Sequence, residues 1–236
     1  MRLSGRLRMV ADMVKPCEAV ADIGCDHAYL SVWLLREGIA KYAYACDVRK
    51  GPLAKAEETI RFFHMQERAK TVLCDGLAGI TPGEAQVIVM AGMGGELTNR
   101  ILREGKEVAE AAECLVLQPQ SDWELVRRYV YDMGYAITDE QCTFEDGKYY
   151  VCMRAERAGE EKPYSDTEYR YGRILPEKGD VTYLAMLAAE CEKKAAMLQR
   201  LASAGTESAE ARIASATEEL TELTCVIRKL SGAEAQ

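Results

Sequence analysis

Ala21-Asp22-Ile23-Gly24-Cys25-Asp26-His27-Ala28 is an apolar strand end that runs into a glycine turn and then toward a helix. The strand is predicted over 19–24 and the helix over 29–37, where Leu30, Trp33 and Leu34 recur at helical spacing and Gly38 stops it. A glycine at such a turn lets the backbone approach a ligand, because no Cβ intervenes. The helix start that follows offers unpaired N–H groups. Nicotinamide-binding loops place G-x-G-x-x-G here for a pyrophosphate. This chain carries Asp26 where the second glycine would stand, a poor neighbour for phosphate. The loop suits a ligand with a cationic or carboxylate-ammonium end instead.

Outward from that loop the chain alternates. Strands are predicted over 42–47, 70–74, 86–91 and 114–118, and helices over 3–15, 53–65, 96–105 and 122–133. Tyr135–Thr143 and Lys148–Arg154 read as a closing strand pair joined by Glu145-Asp146-Gly147. Alternating strand and helix implies an α/β, Rossmann-like domain whose mainly parallel sheet is covered on both faces. Right-handed crossovers put every strand-to-helix loop on one edge, where ligands of such sheets bind. A terminal antiparallel hairpin is foreign to nicotinamide-binding folds and usual in methyltransferases.

Residues 155–180 are polar, interrupted by Pro163, Pro176 and Gly179, and read as a linker. Beyond them Ala209, Ile213, Ala216, Leu220, Leu223, Ile227 and Leu230 repeat at alternating spacings of four and three, a heptad seam. Val181–Leu201 carries a similar seam, and Ser203-Ala204-Gly205-Thr206 joins the two as an antiparallel hairpin. We therefore expect a ligand-binding domain over 1–160 and a linker with an α-helical coiled-coil arm over 161–236. The arm is either structural or a docking surface for substrate, with homodimerisation as a third use.

Composition narrows the function classes. The 236 residues are 48% hydrophobic, enough for a real core. No apolar run reaches the roughly 18 residues of a membrane span, and no signal-peptide core follows the basic start, so a cytoplasmic location is expected. Nine cysteines without a C-x-x-C pair, beside two histidines, argue against a zinc site and a disulfide framework. Cys25, Cys46 and Cys74 fall at strand ends and read as small buried hydrophobes. The net charge of −8 demands a local basic patch for any nucleic-acid role.

Three further strand ends carry chemistry. Asp47, followed by Val48, can accept both hydroxyls of a ribose or cap the helix before Gly51-Pro52. Asp75-Gly76 can hydrogen-bond an adenine amine or form an Asx-turn. Ala91-Gly92-Met93-Gly94-Gly95 leaves an open backbone surface after the most apolar strand.

With those motifs placed, the chain resembles the bacterial tRNA (adenine-22-N1)-methyltransferase family. The matching residues are Leu3-Ser4, Arg6-Leu7, Asp22 through Leu30, Asp47 with Gly51-Pro52-Leu53, Asp75-Gly76-Leu77, Ala91 through Gly95, Leu117-Gln118-Pro119 and Glu145 through Tyr150. They run in order through the whole first domain. Where the family shows Phe-Gly-Pro before its last helices, this chain has Tyr171-Gly172-Arg173, which leaves the linker geometry open.

The resemblance implies a methyltransferase that uses S-adenosylmethionine and acts on N1 of an adenine in tRNA, without a metal and as a monomer. Cofactor contacts are expected from Asp22, Gly24, Cys25, Asp26, His27, Asp47, Val48, Asp75, Gly76, Ala91, Gly92, Met93 and Gly94. Asp26 stabilises the cationic product or holds the methionine ammonium. His27 bonds the base or caps the helix. Tyr29 stacks on the exposed base or lies buried in the first helix. Arg2, Arg6, Arg8, Lys15, Arg49 and Lys50 are expected to form a basic, RNA-binding rim, against the plainer reading of a solvated charged face. The alternatives are a methyltransferase of another substrate, small molecule or protein, and a non-catalytic module that keeps the fold.

Overall fold

A computed structural model of the chain describes residues 1–157, 162–204 and 207–230. The chain divides into two compact units, Met1–Arg170 and Tyr171–Gln236.

In the first unit, α1 (Gly5–Asp12) precedes β1 (Cys17–Ile23), α2 (Tyr29–Arg36), β2 (Ala40–Asp47), α3 (Lys50–Phe62) and β3 (Ala69–Leu73). Then come β4 (Val87–Met93), α4 (Gly95–Glu104), α5 (Lys106–Ala111), β5 (Cys114–Pro119), α6 (Trp123–Asp132), β6 (Tyr135–Glu145), β7 (Lys148–Arg157) and α7 (Asp166–Tyr171). The seven-stranded sheet has the order β3-β2-β1-β4-β5-β7-β6. β7 is antiparallel to both of its neighbours, β5 and β6, while β1 to β5 pair in parallel. The predicted sheet with its antiparallel ending is therefore present, with β7 inserted between β5 and β6.

The reason for this arrangement is visible in the strands. Val20, Val87, Val89 and Val116 are buried with Leu30, Leu34, Leu35, Val10 and Ile60, so α1, α2 and α3 share one core with one sheet face. Ile88, Met90, Leu115 and Leu117, alternating with those valines, are buried as well. Strands apolar on both sides are what a sheet covered on both faces requires. Register then fixes the site edge: Ile23 lies opposite Cys46 on one side and Met90 on the other, so β1, β2 and β4 end level. A register shift between Ala91 and Met93 bends the end of β4 at Gly92, whose φ is +86°.

Two departures from the sequence reading stand out. The turn before β5 contains α5, too short to show an amphipathic period. The supposed linker contains α7 and, in the second unit, α8 (Ile174–Lys178). Ser165 and Glu168 form a reciprocal capping box at the start of α7, with Glu168 Oε2 accepting the Ser165 N–H at 2.7 Å. The buried Arg127 holds the other end. Its Nη1 donates to the carbonyls of Tyr169 (3.0 Å) and Arg170 (3.1 Å), while Nε and Nη2 reach the buried Glu140. These contacts lie within the first unit, which runs to Arg170.

In the second unit, α9 (Val181–Ala204) and α10 (Glu207–Leu230) pack antiparallel. Cys191 faces Thr224 at 3.9 Å, and Lys194 reaches Glu219 at 2.6 Å. Along the predicted seam Ala216 and Leu223 are buried, and Ile213, Leu220 and Ile227 are half-buried. The side chains of Ala209 and Leu230, and the turn residues Gly205 and Thr206, lie outside the described residues. No helix among the described residues is long and apolar enough to cross a membrane.

Candidate active site

The level ends of β1, β2 and β4 open a cleft of about 350 Å³. Asp22, Gly24, Cys25, Asp26, His27, Tyr29, Asp47, Ala91, Gly92 and Met93 line it, together with Arg6 and Arg49 from the predicted basic rim. Leu7, Leu30 and Gln120 line it too and were not among the predicted residues. Leu7 and Leu30 carry only a core signal in sequence; Gln120 follows the Leu117-Gln118-Pro119 motif and was marked by that position alone.

The loop after β1 is shaped by its backbone. Gly24 (φ +77°), Asp26 (φ +48°) and Ala28 (φ +55°) alternate into the left-handed region, which costs a non-glycine residue roughly 1–3 kcal/mol. The loop is held from β2: the Cys46 carbonyl accepts the N–H groups of both Gly24 and Cys25 at 2.9 Å. A Cβ on Gly24 would meet Met93 Cε at 3.2 Å, and one on Gly92 would meet Arg6 Nη1 at 3.2 Å. Both glycines thus keep the floor of the cleft open.

Asp22 is 3% exposed, and its Oδ2 accepts the Ser31 hydroxyl at 2.6 Å. Burial pushes its carboxyl up to about 6, the Ser31 bonds pull it down, and the nearby Asp47 raises it further. Asp47 is also buried; its Oδ1 accepts the Arg49 N–H at 2.8 Å and does not cap α3, whose N-cap is Arg49. Two adjacent acids facing one cleft suit a ligand that brings an ammonium and hydroxyl donors. Burial and the surrounding carboxylates push the Cys25 thiol up, so it packs as an apolar group.

The cleft also carries cations and rings. Arg6 stands inside the cleft rather than on its rim. Its Nη1 donates to Gln118 Oε1 at 2.9 Å, its guanidinium lies 5.6 Å from the Tyr150 ring centre, and its backbone N–H is held by Glu145 at 2.8 Å. Tyr29 is 43% exposed and stacks on His27 at 5.3 Å, which excludes a buried place for it. His27 Nε2 lies 3.8 Å from Asp26 Oδ2.

The remaining predicted residues lie outside the cleft lining. Asp75 pairs with Arg100, at 3.1 Å from Nη2. A Cβ on Gly76 would clash with Ile101 at 2.8 Å, so this glycine serves packing. Gly94 caps α4, and Val48 is exposed. Of the basic residues, Arg8 pairs with Asp12 and Lys15 with Glu156, while Arg2 and Lys50 are exposed. Cys74, expected to be buried, is half-exposed. Among the described residues no three His, Cys, Asp or Glu side chains are grouped to hold a metal.

A sheet of this order with a glycine-floored cleft at the ends of β1, β2 and β4 defines a methyltransferase domain, and the family described as "Methyltransferase domain" matches residues 3–153. A finer assignment comes from relatives. The tRNA (adenine(22)-N(1))-methyltransferase of Bacillus subtilis (strain 168) is 34% identical over 175 residues, covering 74% of each chain. The chain belongs to the family of tRNA (adenine(22)-N(1))-methyltransferases. Its structure is similar to the crystal structure of the B. subtilis M1A22 tRNA methyltransferase TrmK, with a TM-score of 0.87 and 28% identity over 96% of this chain and 99% of that one. Sp1610 of Streptococcus pneumoniae, solved in complex with S-adenosyl-L-methionine, superposes with a TM-score of 0.86 at 28% identity, over 96% of this chain and 100% of that one.

Proposed function

We propose that this chain transfers a methyl group from S-adenosylmethionine to N1 of adenine 22 in tRNA. The observation that carries this reading is the convergence of Asp22, Asp47, Gly24, Gly92 and Arg6 on one cleft in a member of this family. The residues present suit the cofactor. Asp22, with the loop over Gly24, Cys25 and Asp26, binds the ammonium of the methionine end. Asp47 accepts the ribose hydroxyls. Ala91, Gly92 and Met93 give the backbone floor along which cofactor and base approach.

S-adenosylmethionine supplies the methyl as an electrophile on a sulfonium. N1 of neutral adenine carries its own lone pair, so no proton has to leave before attack and no general base is needed. The chain's task is positioning, which can supply several kcal/mol of barrier reduction. Tyr29 and His27 offer the base a stacked aromatic surface. The methylated base is cationic, and Asp26, 65% exposed at its side chain beside that stack, stabilises the charge as it develops. Arg6 and Arg49 answer the problem of a net charge of −8: they put two cations at the cleft itself and bind the phosphates flanking the target, with Arg2, Arg8, Lys15 and Lys50 extending the field. The protein works as a monomer, on cytoplasmic tRNA and without a metal.

The test is methyl transfer from labelled S-adenosylmethionine to unmodified tRNA carrying A22, beside the same tRNA with that adenine replaced. Label in the first alone is expected. Label in both moves the target to another nucleotide. Label in neither, with adenosylhomocysteine still bound, sinks the tRNA assignment in favour of another substrate or a non-catalytic role.

A further inference from the structure

Cys46 is the last residue but one of β2 and Cys74 follows β3, on neighbouring strands at the cleft edge. Cys46 lies opposite Val72 in the parallel register. Cys74, two residues beyond Val72, points to the same face as Cys46. The packing of Gly79 agrees: a Cβ there would meet both Val72 Cγ1 (2.6 Å) and Cys74 Sγ (2.9 Å). Cys46 is buried at 1% exposure, whereas Cys74 is half-exposed and open to small reagents. Each sulfur also has a backbone carbonyl in reach, Cys46 toward Tyr44 and Cys74 toward Gly76.

The backbone around these thiols holds the cofactor site. The Cys46 carbonyl fixes Gly24 and Cys25, as described above, and the Cys74 N–H donates to the carbonyl of Asp47 at 3.1 Å. Any change of backbone position at either cysteine is therefore passed to the loop after β1 and to the ribose-binding acid.

We propose that Cys74 and Cys46 form an oxidisable thiol pair in which Cys74 attacks a peroxide, Cys46 resolves the product, and the resulting link weakens cofactor binding. The acidities of the two groups run in the same sense: the Cys46 thiol facing it lowers Cys74, while Cys74 and burial raise Cys46. Cys74, the accessible sulfur of the two, is the first nucleophile of the pair.

In the first step the Cys74 thiolate attacks one peroxide oxygen, the O–O bond breaks, and hydroxide leaves to take up a proton as water. Cys74 is then a sulfenic acid, oxidised by two electrons. In the second step Cys46 gives up its proton and attacks the Cys74 sulfur, an S–S bond forms, and the sulfenic oxygen leaves as water. Together, two thiols and one hydrogen peroxide become one disulfide and two waters. Diagonal neighbours on adjacent strands close into a disulfide only if the backbone shifts. That shift falls on the segment that presents Asp47. A dithiol reductant reverses it.

The experiment treats the full chain with hydrogen peroxide, maps the cysteines by peptide mass spectrometry, and measures adenosylhomocysteine affinity by calorimetry before and after. A Cys46–Cys74 peptide pair lighter by two hydrogens is expected, with affinity down about tenfold, equivalent to about 1.4 kcal/mol, and restored by dithiothreitol. Cys46→Ser and Cys74→Ser should each bind the ligand and keep that affinity through the peroxide step. Should a serine variant fail to fold, the wild-type chain still decides the matter: the linked peptide pair and the loss of affinity should appear together with peroxide and disappear together with dithiothreitol. Oxidation that leaves Cys46 and Cys74 unlinked, or a linked protein of unchanged affinity, overturns the proposal. The inference rests on the cofactor reading of the cleft, and the two fail separately: reduced protein that does not bind adenosylhomocysteine refutes the cofactor reading, whatever the thiols do.

Discussion

The ends of β1 and β3 each set an aspartate close to a glycine at the same sheet edge, but they commit the acid differently. At the end of β1, Asp22 is buried, bonded by Ser31, and raised by desolvation and by Asp47. Gly24 beside it keeps space open. After β3, Asp75 is exposed and already paired with Arg100, and Gly76 is filled by Ile101. One loop holds an unbalanced charge facing a cleft; the other has balanced its charge internally. A carboxylate waiting for a ligand is recognised by the cost of its surroundings, not by its place in a motif.

The largest consequence falls on Asp47, the second acid of the cleft, which has Arg49 Nε 3.7 Å away. It is buried, and a ribose offers it two charge-assisted hydrogen bonds of about 1.5–3 kcal/mol each. Asp47→Ala should lower adenosylhomocysteine affinity by about 100-fold or more in calorimetry. A loss below about tenfold would remove Asp47 from the ribose and dissolve the distinction between the loops.

Next is the pH dependence of Asp22. Its folded value of about 6 stands above the ordinary 3.8 of an aspartate. In the free protein the folded state therefore holds the proton more tightly, so Asp22 favours folding most below about pH 4, and that contribution is lost as pH rises through about 6. At about 1.4 kcal/mol per unit the loss is about 3 kcal/mol. An ammonium ligand reverses the preference, because it binds the ionised form. Affinity for adenosylhomocysteine should fall about tenfold per pH unit below about 6. Asp22→Asn should flatten that profile and make the free protein relatively more stable at neutral pH. A profile unchanged in the variant assigns the titration elsewhere.

Gly92→Ala follows in size. The residue sits at φ +86°, where a side chain costs roughly 1–3 kcal/mol, and its methyl would press on Arg6 Nη1. Because the arginine tip can swing away, we expect methyl transfer to drop about tenfold while adenosylhomocysteine affinity changes by less than about threefold. Equal losses in both would place Gly92 under the cofactor alone.

How much of this was legible in sequence follows the same division. The strand ends, the acids and the glycines announce themselves because strand period, turn chemistry and residue type are local. Tyr29 was placed at the site although its exposure was left open. Arg6 was read as rim, because nothing in α1 shows that Gln118, from β5, and Glu145, from the β6–β7 hairpin, draw it into the cleft. The helices inside 155–180 were hidden by their length and prolines, though Ser165 and Glu168 carry a capping signal that a search for N-termini would have caught. The pairing of Asp75 was illegible for the same reason as that of Arg6: the motif is local, while its partner Arg100 lies on α4.

Asp75 gives the smallest effect and the sharpest discrimination. Exposed ion pairs contribute about 0–1 kcal/mol, so breaking this one leaves folding nearly unchanged. If the carboxylate stays with Arg100 when cofactor binds, Asp75→Asn shifts affinity less than about threefold, and Arg100→Ala does the same. If the cofactor's adenine amine takes the carboxylate away from Arg100, the two variants separate. Asp75→Asn still weakens binding, whereas Arg100→Ala frees the acceptor and strengthens it. Opposite signs from two partners of one surface pair cannot come from a stability effect, which has the same sign for both. Calorimetry on the two variants therefore decides whether the loop after β3 is internally balanced in every state or only until the ligand arrives.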